Sequence, residues 1–353
     1  MKIISHKYRA LLLLCLSILC SSVSWADYSS HPAFIQFAQD VEQRYQFKHE
    51  ELVHWFSQAE KQDTIITAIS KPAERSKTWG AYQKIFLTPQ RIEKGVEFWR
   101  QHQSTVKQAS ETYQVSESIV IAIIGVETLY GYNTGKYRVI DALSTLAFDY
   151  PPRAAFFRSE LAQFLLLARD NHLDPLSIKG SYAGAIGYSQ FIPSSYRNFA
   201  VDMNADGFID LQNPDDAIGS VAHYFQQHGW EKEGLVAIPA IITEGTTPPT
   251  TASYEPEKPT LSFSTLSKQG IQIQTPHVLS PTTKAALLTL QGDSSLEYWL
   301  ALNNFYVITR YNHSPLYAMA VYQLSQALEA HIQQPIPEKL ISSPHVFHKY
   351  QHR

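Results

Sequence analysis

Eight consecutive apolar residues, Ile119-Val120-Ile121-Ala122-Ile123-Ile124-Gly125-Val126, run without a polar position and end on Glu127. A helix that is apolar on every side belongs in a protein interior. At helical spacing Glu127 stacks over Ile123 and Ile124, and beyond them over Ile119 and Val120. A carboxylate in that position is poorly solvated, and desolvation penalises its charged form and raises its pKa. A carboxyl group still protonated near neutral pH can act as a general acid. A buried glutamate paired with Arg138 or Arg153 would fit the helix equally well, so the neighbouring sequence has to choose.

With 353 residues, 44% of them hydrophobic, the chain can bury a large core and divide into two or three domains. The net charge of -3 provides no basic stripe to neutralise phosphates, which excludes a nucleic-acid partner. The 20 Tyr, 17 Phe and 6 Trp could stack on sugar faces, although core packing accounts for most of them. Lys2, Lys7 and Arg9, the apolar run Ala10 to Cys20, and Ser24-Trp25-Ala26 read as a secretory signal cleaved before Asp27. Its apolar run is short for a membrane span. Both cysteines, Cys15 and Cys20, lie inside this signal, so the mature chain has no disulfide. Acylation of Cys20 would instead make a lipoprotein, but bulky Leu19 precedes it where small residues are usual. A soluble periplasmic protein is the favoured reading.

Helical periodicity predicts a helical region over 27–112, including one helix from Pro89 to about Tyr113. Ser116 is a candidate N-cap for the Glu127 helix. Further helices are expected over Arg153 to Arg169 and Asp216 to His228, the latter ended by Gly229. These belong to a region 113–234, in which Gly180 to Ser195 is a structured loop. A small β insertion is expected over 235–280, from Val236, Ile238, Ile241 and Ile242, a Thr246 to Thr251 turn with two prolines, and Ile271-Gln272-Ile273. Helical pattern resumes near Thr282, giving C-terminal helices over 281–335, and 336–353 is a weakly ordered tail.

Four blocks carry chemistry: AIIGVETLYG at 122–131, KGSYAGAIGYSQFIPSSY at 179–196, VDMNADGFIDLQNPDDAIGSVAHYFQQHGW at 201–230, and VITRYNHSPLYAMAV at 307–321. In this order they resemble the lytic murein transglycosylase B family (glycoside hydrolase family 103), with a weaker match at Thr78 to Tyr82. The resemblance implies a mainly α (α+β) fold with a lysozyme-like helical core. It implies a monomeric enzyme acting on peptidoglycan strands, alongside cell-wall remodelling partners and with no cofactor for catalysis. It implies cleavage between N-acetylmuramic acid and N-acetylglucosamine with Glu127 as acid and then base, ending in a 1,6-anhydro sugar. Ordinary glycosidases need two carboxylates. Asp141 and Asp149 are candidates for the second, but both adjoin hydrophobic runs and read better as caps or ion-pair partners. Ser181 and Gln190 match the family's substrate-orienting positions, Tyr82, Tyr224, Tyr311 and Tyr317 its groove tyrosines, and Arg153 a basic position. Pro152 stands where the family often has a second arginine. A non-catalytic peptidoglycan-binding scaffold and a hydrolytic muramidase are the competing readings.

Asp202, Asn204, Asp206, the Phe208 carbonyl and Asp210 have the spacing of an EF-hand-like loop, with Gly207 at the sharp turn. The last position holds Asn213 rather than Glu, and Asp215 could serve in a longer loop. A structural calcium ion is expected. No H-E-x-x-H, nucleophile elbow or phosphate-binding loop occurs.

Overall fold

The computed structural model describes residues 27–70, 77–246, 258–274 and 278–333. The signal segment, the two prolines of the 246–251 turn and the 336–353 tail lie outside the described residues. The chain begins with α1 (Pro32–Tyr45), α2 (His49–Phe56) and α3 (Asp63–Ile69). Next come α4 (Trp79–Phe86), α5 (Pro89–Gln101), α6 (Gln103–Tyr113) and α7 (Glu117–Thr128). A two-residue strand β1 (Tyr137–Arg138) leads into α8 (Val139–Asp149) and α9 (Ala154–Asp170). Strand β2 (Lys179–Gly180) precedes α10 (Pro193–Phe199) and α11 (Pro214–Gln227). The β region holds β3 (Ala237–Ile242), β4 (Leu261–Ser262), α12 (Phe263–Lys268), β5 (Ile271–Ile273), β6 (Lys284–Gln291) and β7 (Leu296–Ala301). Helices α13 (Asn303–Tyr311) and α14 (Pro315–Ile332) follow.

Helix α7 is enclosed as its composition demands. It packs against α5, α6, α11 and α14, and Ile121 to Ile124 have no exposed surface. Each such isoleucine contributes about 1.5–3 kcal/mol. A second core joins Phe34, Phe37 and Phe56 of the first helices to Leu143 and Leu146 of α8 and to Leu161 and Phe164 of α9. Polar anchors align these elements: Asp141 accepts the Glu60 amide at 2.9 Å, Thr145 the Gln62 amide at 3.0 Å, and Asp149 the Tyr28 hydroxyl at 2.6 Å. Tyr188 and Tyr311 pack against both cores, so the seam between them runs past the end of α7.

Two elements differ from the sequence expectation. The helix expected from Pro89 to Tyr113 is broken at His102, whose backbone leaves the helical region. The ring of His102 sits 4.6 Å from that of Phe98, and Nδ1 meets Asp215 at 3.1 Å. The helical pattern expected from Thr282 is instead the hairpin β6–β7, so the sheet runs beyond 280 to Ala301. The antiparallel sheet has the order β4-β6-β7-β3-β5. Leu287 and Leu300 pack with Leu266 of α12 on one face, while Leu288, Leu290 and Trp299 face the α7 core on the other. A strand buried on both faces loses its period-two alternation, and KAALLTLQ then reads as helix.

Candidate active site

Glu127 lies one residue before the end of α7 and is only partly buried. Thr128 ends the helix: its buried hydroxyl lies 3.1 Å from the Ile124 carbonyl and 3.3 Å from that of Tyr188, and accepts the Gly131 amide at 3.0 Å. The chain then turns through three left-handed residues, Leu129, Tyr130 and Gly131, with φ of 52°, 61° and 88°. Gly131 is required here, because a Cβ would enter the Tyr188 ring.

Tyr317 is buried in the first turn of α14 and donates its hydroxyl to Glu127 Oε1 at 2.6 Å. Ser314 sets that turn, its hydroxyl accepting the Tyr317 amide at 3.3 Å. Burial, and then the negative charge of Glu127, raise the phenols of Tyr317 and Tyr311 well above the usual range. Tyr82 is buried within electrostatic reach of Tyr317. The Tyr311 hydroxyl donates to the Ser189 carbonyl at 2.6 Å and that of Tyr224 to the Arg310 carbonyl at 2.6 Å. Burial pushes the Tyr224 phenol up to about 12, opposed by the charge of Arg310. These tyrosines are therefore neutral donors at physiological pH. The structure gathers Tyr311 and Tyr317 around Glu127, with Tyr82 beside Tyr317, while Tyr224 stands behind Tyr311, ring centroids 4.9 Å apart.

The glycine-rich loop is drawn to the same place from two sides. Thr128 of α7 holds it at Tyr188, and Tyr311 of α13 holds it at Ser189. Gln190, at φ 51°, donates from Nε2 to the Gly187 carbonyl at 2.8 Å and the Thr134 carbonyl at 3.1 Å. The Ser181 hydroxyl accepts the Ala183 amide at 3.3 Å and the Ala185 amide at 3.1 Å. Both side chains thus brace their own loop while remaining partly exposed. Arg153 is exposed at the start of α9 and stacks on Phe156 and Phe157 at 4.3 and 5.1 Å. Arg138 pairs with Asp141 at 2.7 Å, and Asp149 with Lys61 at 3.5 Å. Both aspartates are therefore ion-pair partners.

The 202–210 loop folds on its own oxygens. Asp202 accepts the Asp206 and Gly207 amides at 3.2 and 2.8 Å, and Asn204 the Asp206 amide at 3.0 Å. Asn213 caps α11 by accepting the Asp215 amide at 2.9 Å. Sequence reasoning missed Asp216: it is buried and accepts the Met203 amide at 2.9 Å and the Asp210 amide at 2.8 Å. Burial raises its pKa above the usual carboxylate value despite these bonds, and the charge of Asp202 adds to the rise. Among the described residues no three His, Cys, Asp or Glu side chains already converge on a metal position.

A model of the transglycosylase SLT domain matches residues 29–326. The chain belongs to this family. It is 43% identical over 311 residues to the membrane-bound lytic murein transglycosylase B of Escherichia coli K12, covering 86% of this chain and 84% of that one. The catenated lytic transglycosylase SltB1 of Pseudomonas aeruginosa superposes with a TM-score of 0.80 at 46% identity, over 87% of this chain and all of the other. The E. coli lytic transglycosylase Slt35, solved in complex with calcium, gives 0.79 at 42% identity over 87% and 96% of the two chains. The mainly helical, lysozyme-like architecture with a small sheet is shared with these SLT transglycosylases.

Proposed function

We propose that this SLT transglycosylase cleaves the β-1,4 bond between N-acetylmuramic acid and N-acetylglucosamine in peptidoglycan, without water, through Glu127 alone. The observation that carries the reading is the 2.6 Å bond from the neutral Tyr317 hydroxyl to Glu127 Oε1. It orients a carboxyl group at the rim of an apolar helix, while Asp141 and Asp149 are engaged elsewhere. Glu127 gives its proton to the glycosidic oxygen as the C1–O bond breaks, and the substrate's own 2-acetamido carbonyl supports the cation at C1. The carboxylate then takes the proton of the C6 hydroxyl as that oxygen bonds to C1, closing a 1,6-anhydro ring. The proton returns to Glu127 and the atoms balance with no water consumed. Tyr317 donates to the carboxylate and so favours its ionised form between the two transfers. Ser181 and Gln190 border the sugar site from the loop held against α7, and Arg153 serves carboxylates of the substrate from its outer edge.

The 202–216 loop fits a structural calcium ion, because its side chains supply hard oxygen donors. Asp202, Asn204, Asp206, the Phe208 carbonyl and Asp210 would hold it. Asp216, which already binds both ends of the loop, takes the closing role in place of Asn213. Peptidoglycan as substrate places the enzyme in the periplasm, exported by the 1–26 signal and acting as a monomer beside other wall-remodelling proteins. No described helix is long and apolar enough to cross a membrane.

Mass spectrometry of products from purified glycan strands tests the reaction. Anhydro ends from the native enzyme and their loss in Glu127→Gln, by about 10²–10⁴-fold, are expected. Free reducing ends would instead make it a muramidase, and full activity of Glu127→Gln would remove Glu127 from the chemistry.

A further inference from the structure

Glu127 depends on how the last turn of α7 is held, and that turn is held from behind. At about 100° per residue, Gly125 and Glu127 project from α7 about 200° apart. Tyr130 fills the space behind the helix. It is 6% exposed, and an added Cβ at Gly125 would lie 2.5 Å from its hydroxyl. A Cβ at Gly95 would collide with the same hydroxyl. Arg91, Gly95 and Phe98 share one face of α5 at i, i+4, i+7 spacing. They form the other side of the notch, with the Phe98 ring 5.6 Å from that of Tyr130.

The Arg91 guanidinium donates through Nη1 to the Gly125 carbonyl and lies 5.1 Å over the Phe86 ring. A cation at that carbonyl complements the negative end of the helix. Tyr130 reaches the notch only through a left-handed backbone, φ 61°, which is unfavourable for a residue with a Cβ and persists only where packing enforces it. Its hydroxyl is buried and meets no hydrogen-bond partner among the described residues. The ring, then, rather than a polar contact, is what the site uses.

We infer that Tyr130, wedged between Gly95 and Gly125 and faced by Arg91, is a positioning residue that sets the direction of Glu127 toward Tyr317. The inference rests on the assignment of Glu127 as acid and base. Misplacement of a reacting group by about 1 Å costs on the order of 100-fold, so a loosened wedge acts on turnover before it acts on binding.

The test is kcat and KM on purified glycan strands for Tyr130→Ala, Tyr130→Phe and Arg91→Met, with melting curves for each and Glu127→Gln as control. Tyr130→Ala, assayed well below its melting temperature, should lose about 10- to 100-fold in kcat at unchanged KM. Tyr130→Phe keeps the ring and should restore native kcat and KM. Arg91→Met, which removes the Gly125 contact but keeps the stem, should show a smaller loss confined to kcat; it decides the matter if Tyr130→Ala does not fold. Native kcat in a folded Tyr130→Ala or Arg91→Met overturns the inference, as does loss that only tracks the unfolded fraction. An active Glu127→Gln would instead overturn the assignment beneath it.

Discussion

The contact between Tyr317 and Glu127 joins residues 190 positions apart in the chain. A hydrogen bond to a charged group contributes about 1.5–3 kcal/mol. If it acts on the ionised carboxylate formed during the reaction, Tyr317→Phe should lower kcat about 10- to 100-fold by that measure. Its melting temperature should stay close to native, since the ring remains packed. Steady-state kinetics beside a melting curve check this, and native turnover would reduce Tyr317 to a packing residue. Glu127 was legible in the sequence because an acid at the end of an apolar run is costly. Tyr317 was legible only through resemblance, because one of 20 tyrosines carries no signal of its own. Tyr130 carried a weak one: a large residue beside Gly131, in a turn that bulky side chains avoid.

Among the elements, the 202–216 loop has the most to gain from a ligand. Asp216 binds the amides of Met203 and Asp210 and so closes the loop upon the first turn of α11. A ligand that binds only the folded state adds about 2.7 kcal/mol at a hundred times its dissociation constant. Calcium should therefore raise the melting temperature of the native enzyme, and Asp202→Ala should abolish the rise. Identical melting curves in calcium and in chelator would leave the loop a polar turn. The β6–β7 hairpin shows the opposite case, an element misread from its own residues. Its leucines serve two cores at once, one toward α12 and one toward α7, and a pattern buried on both faces carries no period.

Stability of the molecule as a whole should depend on pH through Glu160. It is 4% exposed on α9 and accepts the Ser194 amide at 3.0 Å, tying α9 to α10. Burial raises its pKa in the folded state, and the bonds from Ser194 only partly oppose this. A raised carboxyl pKa means that the folded state holds the proton more tightly than the unfolded chain. Its contribution is full below the unfolded value of about 4.3 and is lost as pH rises through the folded value. Glu160→Gln keeps an acceptor for the Ser194 amide and never ionises. The variant should melt above the native enzyme at pH 7, and the gap should close as pH falls to about 4. A gap that does not change with pH would mean that folding leaves the Glu160 pKa unshifted.

The buried helix, the acid at its end, the loop of acidic residues and most helices were legible in the chain, because each rests on local spacing that tertiary context had no reason to override. The break at His102 was not, since its partner Asp215 lies 113 residues away. Nor was the hairpin, whose two apolar faces acquire meaning only when both neighbouring cores are present. The same holds at the site. Thr128 and Tyr311 grip the glycine-rich loop from two helices, and Tyr130 enters a notch made by glycines of α5 and α7. Such contacts arise from side chains distant in sequence that meet once the cores have formed, and no periodicity records a meeting of that kind.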